Sequence, residues 1–243
     1  MKKIHIVLIV ALVILADQAL KIYVKTSFPL NTTRPMMGTW AELYFVENPG
    51  MAYGWKFGGT FGKLFLTVFR LVAVIFGTWY LGGIVKKGYS RGFIICASLI
   101  YAGALGNLID SCFYGVIFDK GMVFNEAIKD YTNYSGLAVF AKQGYASFLH
   151  GNVVDMLHFP LIQTSLPQWF INLQPSLPNW FPFKTDTTFE FFSPIFNIAD
   201  AAISTGIITL LVFQKKLFNK AIQQTNKKSI ETTTLVDDVS QVS

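Results

Sequence analysis

Four apolar runs, at about residues 4–24, 61–85, 92–113 and 194–213, restrict this chain more than any other feature. Each is about the 20 residues that a helix needs to cross a bilayer. They predict an all-α integral membrane protein with four transmembrane helices. Composition agrees: 14% of the residues are charged, against about 25% in globular proteins. The first run resembles a secretory leader, because Lys2 and Lys3 precede it. Yet no small-x-small cleavage site follows, no lipobox cysteine is present, and Asp17 and Lys21 fall late in the run. It is read as a retained span.

Basic residues orient the spans, since cytoplasmic loops collect Lys and Arg. Lys2 and Lys3 precede span one. Lys86, Lys87 and Arg91 fill the turn between spans two and three, and Lys215, Lys216, Lys220, Lys227 and Lys228 follow span four. That is 10 of the 20 Lys and Arg residues, in short segments on one face. Both termini are expected inside, with outer loops 25–60 and 114–193. The net charge of +6 therefore points to membrane lipid and not to nucleic acid. Residues 1–218 form a single four-helix domain in this reading. Residues 219–243 form a polar cytoplasmic tail, too polar to pack and expected to be disordered.

The first outer loop, with TWAELYFVENPGMAYGWKF around Pro49-Gly50, reads as a small extracytoplasmic sheet. The second is an extended loop. In it Ser165-Leu-Pro-Gln-Trp-Phe170 recurs as Ser176-Leu-Pro-Asn-Trp-Phe181. Trp, Phe and Pro suit the membrane–water interface, so this stretch either rests on headgroups or forms a lid over a site. Cys96 and Cys112 are 16 residues apart on one predicted span, too far to pair. His5, His150 and His158 show no metal-ligand spacing, and no phosphate-binding or dinucleotide motif is present. Neither metal nor cofactor is expected.

Ionisable residues in a span are costly and default to functional candidates. Asp17 and Lys21 are four apart on one helix face, a spacing that allows an ion pair. Lys63 and Arg70 read as snorkelling or packing charges. Asn107–Asp110, Asn152–Asp155 and Asn197–Asp200 share a three-residue spacing. Asp17, Asp110 and Asp200 come out at one depth, and Asp155 sits in a loop that can return to them. A transporter could use such acids for ions, a scaffold for holding helices together, and a protease could use two of them as a dyad. In a dyad, crowded carboxyls keep one proton between them. Spacing alone leaves these readings open.

The motifs DQALK (17–21), ENPGMAYG (47–54), GALGNLIDSCFYG (103–115), GNVVDML (151–157) and FNIADAAI (196–203) occur in this order. In these the chain resembles the lipoprotein signal peptidase (signal peptidase II) family of bacterial inner-membrane aspartic proteases. The resemblance implies four spans and an active site at the outer, periplasmic face. It implies an endopeptidase that removes the signal peptide of diacylglyceryl-modified prolipoproteins, cutting before the lipidated cysteine, and acting as a monomer. It makes Asp155 and Asp200 the catalytic pair. Asp17, Lys21, Asn48, Gly50, Asn107, Asp110 and Asn197 become supporting or substrate-binding residues. Three departures stand out. Ser111 occupies a position where the family commonly has arginine, so a cation is missing unless Lys21 or Arg34 replaces it. Tyr53 stands where phenylalanine is frequent. The stretches at about 119–149 and 161–190 are longer than in short members.

Overall fold

The computed structural model describes residues 2–38, 40–50, 59–177, 187–191 and 193–217. Tyr53, the second copy of the Trp-Phe repeat from residue 178 on, and the tail beyond residue 217 lie outside them.

Three of the apolar runs form long helices: α1 (Lys3–Ser27), α2 (Gly59–Lys86) and α3 (Arg91–Ile117). All three are long and apolar enough to cross a membrane. They run up to four residues past the expected spans at one end, into Lys25–Ser27 for α1 and Tyr114–Ile117 for α3, because helical backbone bonding carries on past the run read from hydropathy. Ser90 starts α3 by accepting the Phe93 N–H on its side chain at 3.3 Å.

The fourth run differs from expectation. Its helix, α5 (Ile198–Val212), has 15 residues and is about 22 Å long. After a turn at Phe213 the chain is helical again over 214–217. The start is late because Asn197 caps it: Asn197 Oδ1 accepts from the Asp200 N–H at 2.9 Å. The residues before the cap are committed elsewhere. Phe196 exchanges two backbone hydrogen bonds with Leu157, at 2.7 and 3.1 Å.

α3 is the central helix, packed against α1, α2 and α5. Small residues let the backbones approach, as is usual between membrane helices. A Cβ at Gly103 would run into the Ala199 carbonyl of α5, and one at Gly106 would lie 3.0 Å from Asp17 Oδ2 of α1. Outward faces are apolar: Leu12 and Leu15 on α1, Phe61 and Trp79 on α2, and Leu211 on α5 are all exposed. Meanwhile Asp17, Lys21, Lys25, Lys63 and Asp110 are buried. This inside-out distribution is what a lipid solvent imposes.

The two long loops, 25–60 and 114–193, hold more strand than the sequence suggested. β1 (Thr33–Met37), β2 (Ala41–Asn48) and β5 (Val153–His158) form one antiparallel sheet in the order β1-β2-β5. β3 (Val123–Asn125) pairs with β4 (Asp130–Thr132), and β6 (Ile162–Ser165) with β7 (Thr188–Phe191). A short helix, α4 (Gln168–Leu173), follows β6. Val24, Phe28, Phe45, Tyr114, Phe118, Val154 and Met156 make one apolar cluster that fastens the sheet to the ends of α1 and α3.

Candidate active site

β5 positions the first acid. Five of its six residues are buried, so it lacks the in–out alternation of a half-solvated strand. Val46 of β2 faces Asp155 in register on one side. On the other, the Leu157–Phe196 bridge ties β5 to the chain entering α5. Asp155 is two residues before that bridge and Asp200 four residues after it. Two carboxylates 45 positions apart in sequence thereby come within electrostatic reach of each other.

Two asparagines hold them. Asn197 Nδ2 donates to Asp155 Oδ1 at 2.6 Å and to Asn107 Oδ1 at 3.1 Å. Asn107 Nδ2 donates to Asp200 Oδ1 at 2.8 Å. Each amide therefore fixes one carboxylate and the other amide. Burial, and after it the neighbouring Asp200 carboxylate, push Asp155 up to about 8, against the opposing pull of Lys21 and of the Asn197 hydrogen bond.

Behind the pair lies a fully enclosed polar cluster. Lys21 Nζ reaches Asp17 Oδ2 at 2.8 Å, Asp110 Oδ2 at 2.8 Å and Asn107 Oδ1 at 2.9 Å, which accounts for its three protons. Gln18 Nε2 donates to Asp110 Oδ1 at 2.8 Å. The Ala199 N–H at the start of α5 donates to Asp17 Oδ1 at 2.9 Å. Asp17 and Lys21 thus do more than satisfy each other: they join α1 to α3 and α5. Breaking such a buried set by removing one charge costs about 3–5 kcal/mol.

Of the residues singled out in the sequence, Asp17, Lys21, Asn107, Asp110, Asp155, Asn197 and Asp200 join this continuous network. Asn48 and Gly50 sit beside it at the end of β2, where Asn48 pairs with Val153 in register. Asn48 Oδ1 accepts the Gly50 N–H at 2.9 Å, and Gly50 has φ +107, a backbone conformation that suits glycine alone. His158 faces away from Asp155 chemistry: its Nδ1 lies 2.6 Å from Glu42 Oε1.

Three features escaped the sequence reading. Lys63, read as a snorkelling or packing charge, is buried, and its bond to Asn152 is what the sequence did not show. Asn152 Nδ2 donates to Glu47 Oε2 at 2.6 Å, and Glu47 pairs with Lys25. Lys25 continues the four-residue spacing of Asp17 and Lys21, which was the available signal. Its ammonium lies 5.1–5.5 Å from the rings of Phe118, Tyr134 and Tyr145. Tyr134 OH and the Met122 N–H both donate to Glu47, at 2.8 Å each, so this second cluster pins the longer stretch 119–149. Burial and the Glu47 charge raise the Tyr134 and Tyr145 phenols, which stay protonated donors. Lastly, Arg70 reaches Ser111: its Nη1 donates to Ser111 Oγ at 2.8 Å. Neither residue considered as a replacement cation stands there. Lys21 is fully engaged, and Arg34 donates to the Ser27 carbonyl and stacks over Phe28 at 4.2 Å.

Among the described residues, no three His, Cys, Asp or Glu side chains converge as a metal site. A bundle apolar outside and polar inside, with two neighbouring carboxylates where a small sheet meets the helices, has the build of a membrane-embedded hydrolase. Residues 9–215 match the family described as signal peptidase (SPase) II, and the chain belongs to that family. A lipoprotein signal peptidase of Porphyromonas gingivalis is 40% identical over 205 residues, covering 84% of this chain and 80% of that protein. Its counterpart in Amoebophilus asiaticus is 30% identical over 220 residues, covering 89% of this chain and 80% of that protein. A solved bacterial membrane enzyme aligns over 89% of this chain and 91% of its own, at 21% identity and a TM-score of 0.49.

Proposed function

We propose that this chain is an aspartic endopeptidase that frees diacylglyceryl-modified prolipoproteins of their signal peptides, with Asp155 and Asp200 as its catalytic pair. The observation that carries the assignment is the Asn107–Asn197 bridge, which holds both carboxylates at once. Asp155, with its raised affinity for a proton, is the acid. Asp200 is the base. Water adds to the scissile carbonyl carbon, giving a proton to Asp200, while Asp155 protonates the carbonyl oxygen. On collapse the C–N bond breaks, the departing amine takes the proton from Asp200, and the oxygen returns one to Asp155. The acids end the cycle as they began.

The rest of the reading follows from this site. Residues 1–218 act as one four-span domain in a bacterial inner membrane. The fourth crossing uses α5 with its 214–217 extension, and both ends are cytoplasmic. The sheets and the acid pair then stand at the outer face, where a signal peptide emerging in the bilayer can reach them. Asn48 and Gly50 border the substrate path, and the β6–α4–β7 segment covers it from the headgroup level. One chain supplies every acid, so the active unit is a monomer.

The test is prolipoprotein processing in membranes at matched protein levels. Wild type is expected to cleave. Asp155→Asn and Asp200→Asn are each expected to accumulate uncleaved, diacylglyceryl-modified precursor. Normal cleavage by either variant would sink the pair.

A further inference from the structure

The guanidinium of Arg70 belongs to no part of the mechanism above. Arg70 lies on α2 and is half-buried. One of its nitrogens donates to Ser111 Oγ at 2.8 Å, and that hydroxyl donates onward to the Asn107 carbonyl at 2.9 Å. Asn107 is the residue whose amide holds Asp200. The carboxylates of Asp110, Asp200 and Asp155 all attract the guanidinium, yet it closes no ion pair with any of them. A guanidinium has five N–H donors, and one is accounted for. Among the described residues no fully enclosed side-chain nitrogen lacks a partner. Among the described residues that is the one hydrogen bond the guanidinium makes, and its nitrogens without one are not fully enclosed.

A cation in this position has a cost. Keeping a guanidinium in an apolar setting with most of its donors unmet is unfavourable unless something completes its shell. Lys21 and Gln18 take up both oxygens of Asp110, and the two asparagines hold one oxygen each of Asp155 and Asp200. What suits the open donors is an acceptor brought by the substrate, and a neutral carbonyl oxygen fits without adding charge next to a carboxylate pair.

Building on the peptidase reading, we propose that Arg70 is a substrate-binding residue, held by Ser111, whose free N–H donors grip a carbonyl oxygen of the lipid-modified segment beside the acid pair. The carbonyl comes from the peptide backbone or from a glyceride ester. Both present the same acceptor. Arginine suits the task because its planar fork keeps its geometry while one edge is anchored.

The test is steady-state cleavage of a diacylglyceryl-cysteine peptide by purified wild type, Arg70→Gln, Arg70→Lys and the double variant Arg70→Gln/Ser111→Arg. A dialkyl-ether version of the peptide, which lacks the ester carbonyls, is run in parallel. Binding of the intact peptide is measured separately in an Asp155→Asn background. R70Q is expected to raise KM and lower kcat/KM roughly 10- to 100-fold, the span of a charge-assisted hydrogen bond, at every pH of the profile. R70K falls between. The double variant regains activity, because an arginine grown from position 111 can fill the volume that the shortened side chain vacates. If the ether peptide is insensitive to R70Q, the carbonyl is an ester; if it is as sensitive as the diacyl peptide, it is a backbone one. Unchanged kcat/KM in R70Q would overturn the assignment. So would a loss that appears only as a shifted pH profile with KM intact, since that would make Arg70 a tuner of the acids. Should R70Q fail to fold, R70K reads the same distinction. Failure of wild type to cleave would instead count against the peptidase reading, and binding in the Asp155→Asn background would still report on Arg70.

Discussion

At the scale of single residues, Asp155 carries a prediction about pH. Its carboxyl holds a proton up to about pH 8 in the folded chain, against about 3.9 for an ordinary aspartate. Above that value Asp155 loses the proton it donates. The rate of cleavage, kcat/KM, is expected to fall on an alkaline limb with an apparent pKa near 8, read from a pH–rate profile at constant ionic strength. The same shift weakens the fold. As pH rises from about 4 to 8 the unfolded chain releases a proton that the folded chain keeps, so stability drops across that window and levels off above it. Asp155→Asn removes this dependence, and its thermal midpoint is expected to gain on wild type as pH rises through the window. A flat difference would refute the shift. Much of the site was legible at this scale. Acids and amides in apolar surroundings announce themselves by cost, and the Asp17–Lys21 spacing is set by the helix alone. The Arg70–Ser111 contact was not legible, because the register of α2 against α3 is fixed by tertiary packing and leaves no trace in either sequence segment.

At the scale of elements, the close approach of α3 to α5 decides whether the pair forms. Asn107 reaches Asp200 only because Gly103 lets the α5 backbone come near. Gly103→Leu is expected to force the helices apart and to cost about 1–3 kcal/mol or more, seen as a lowered unfolding midpoint in detergent together with lost cleavage. Gly82→Ala on α2, where a methyl meets nothing within 4 Å, serves as the control and is expected to leave both unchanged. Equal effects of the two changes would show that helix spacing is not what holds the site. The three long helices could be read from uninterrupted hydropathy. The start of α5 could not, since hydropathy runs through Pro194–Phe196 while the backbone there bonds β5. The strand character of 153–158 was hidden too. A strand buried on both faces shows no alternation, and the run resembles any other apolar stretch.

At the scale of the whole molecule, one segment carries apolar side chains that no described residue covers. Leu161, Ile162, Trp169 and Leu173 are exposed along the β6–α4 segment. Tryptophan among exposed aliphatic side chains suits a surface seated at the headgroup level. In a variant whose only tryptophan is Trp169, emission in vesicles is expected to be blue relative to water and quenched by lipids brominated close to the headgroup. Quenching only by an aqueous quencher would place the segment off the membrane. Pattern alone separated the face with the basic turns from the face with the long loops. It could not place the pairing of β6 with β7, whose partners lie 23 to 29 residues apart, from Ser165–Thr188 to Ile162–Phe191.

The two acids arrive at different times. Asp155 lies on a strand that has its β2 neighbour as soon as residues 153–158 exist. Asp200, and the asparagine that holds Asp155, sit at the start of the last helix. A ribosome must make nearly all of the bundle before both carboxylates can meet. A half-finished chain, threading through the same membrane as the precursors it will later cut, is harmless to them and to itself.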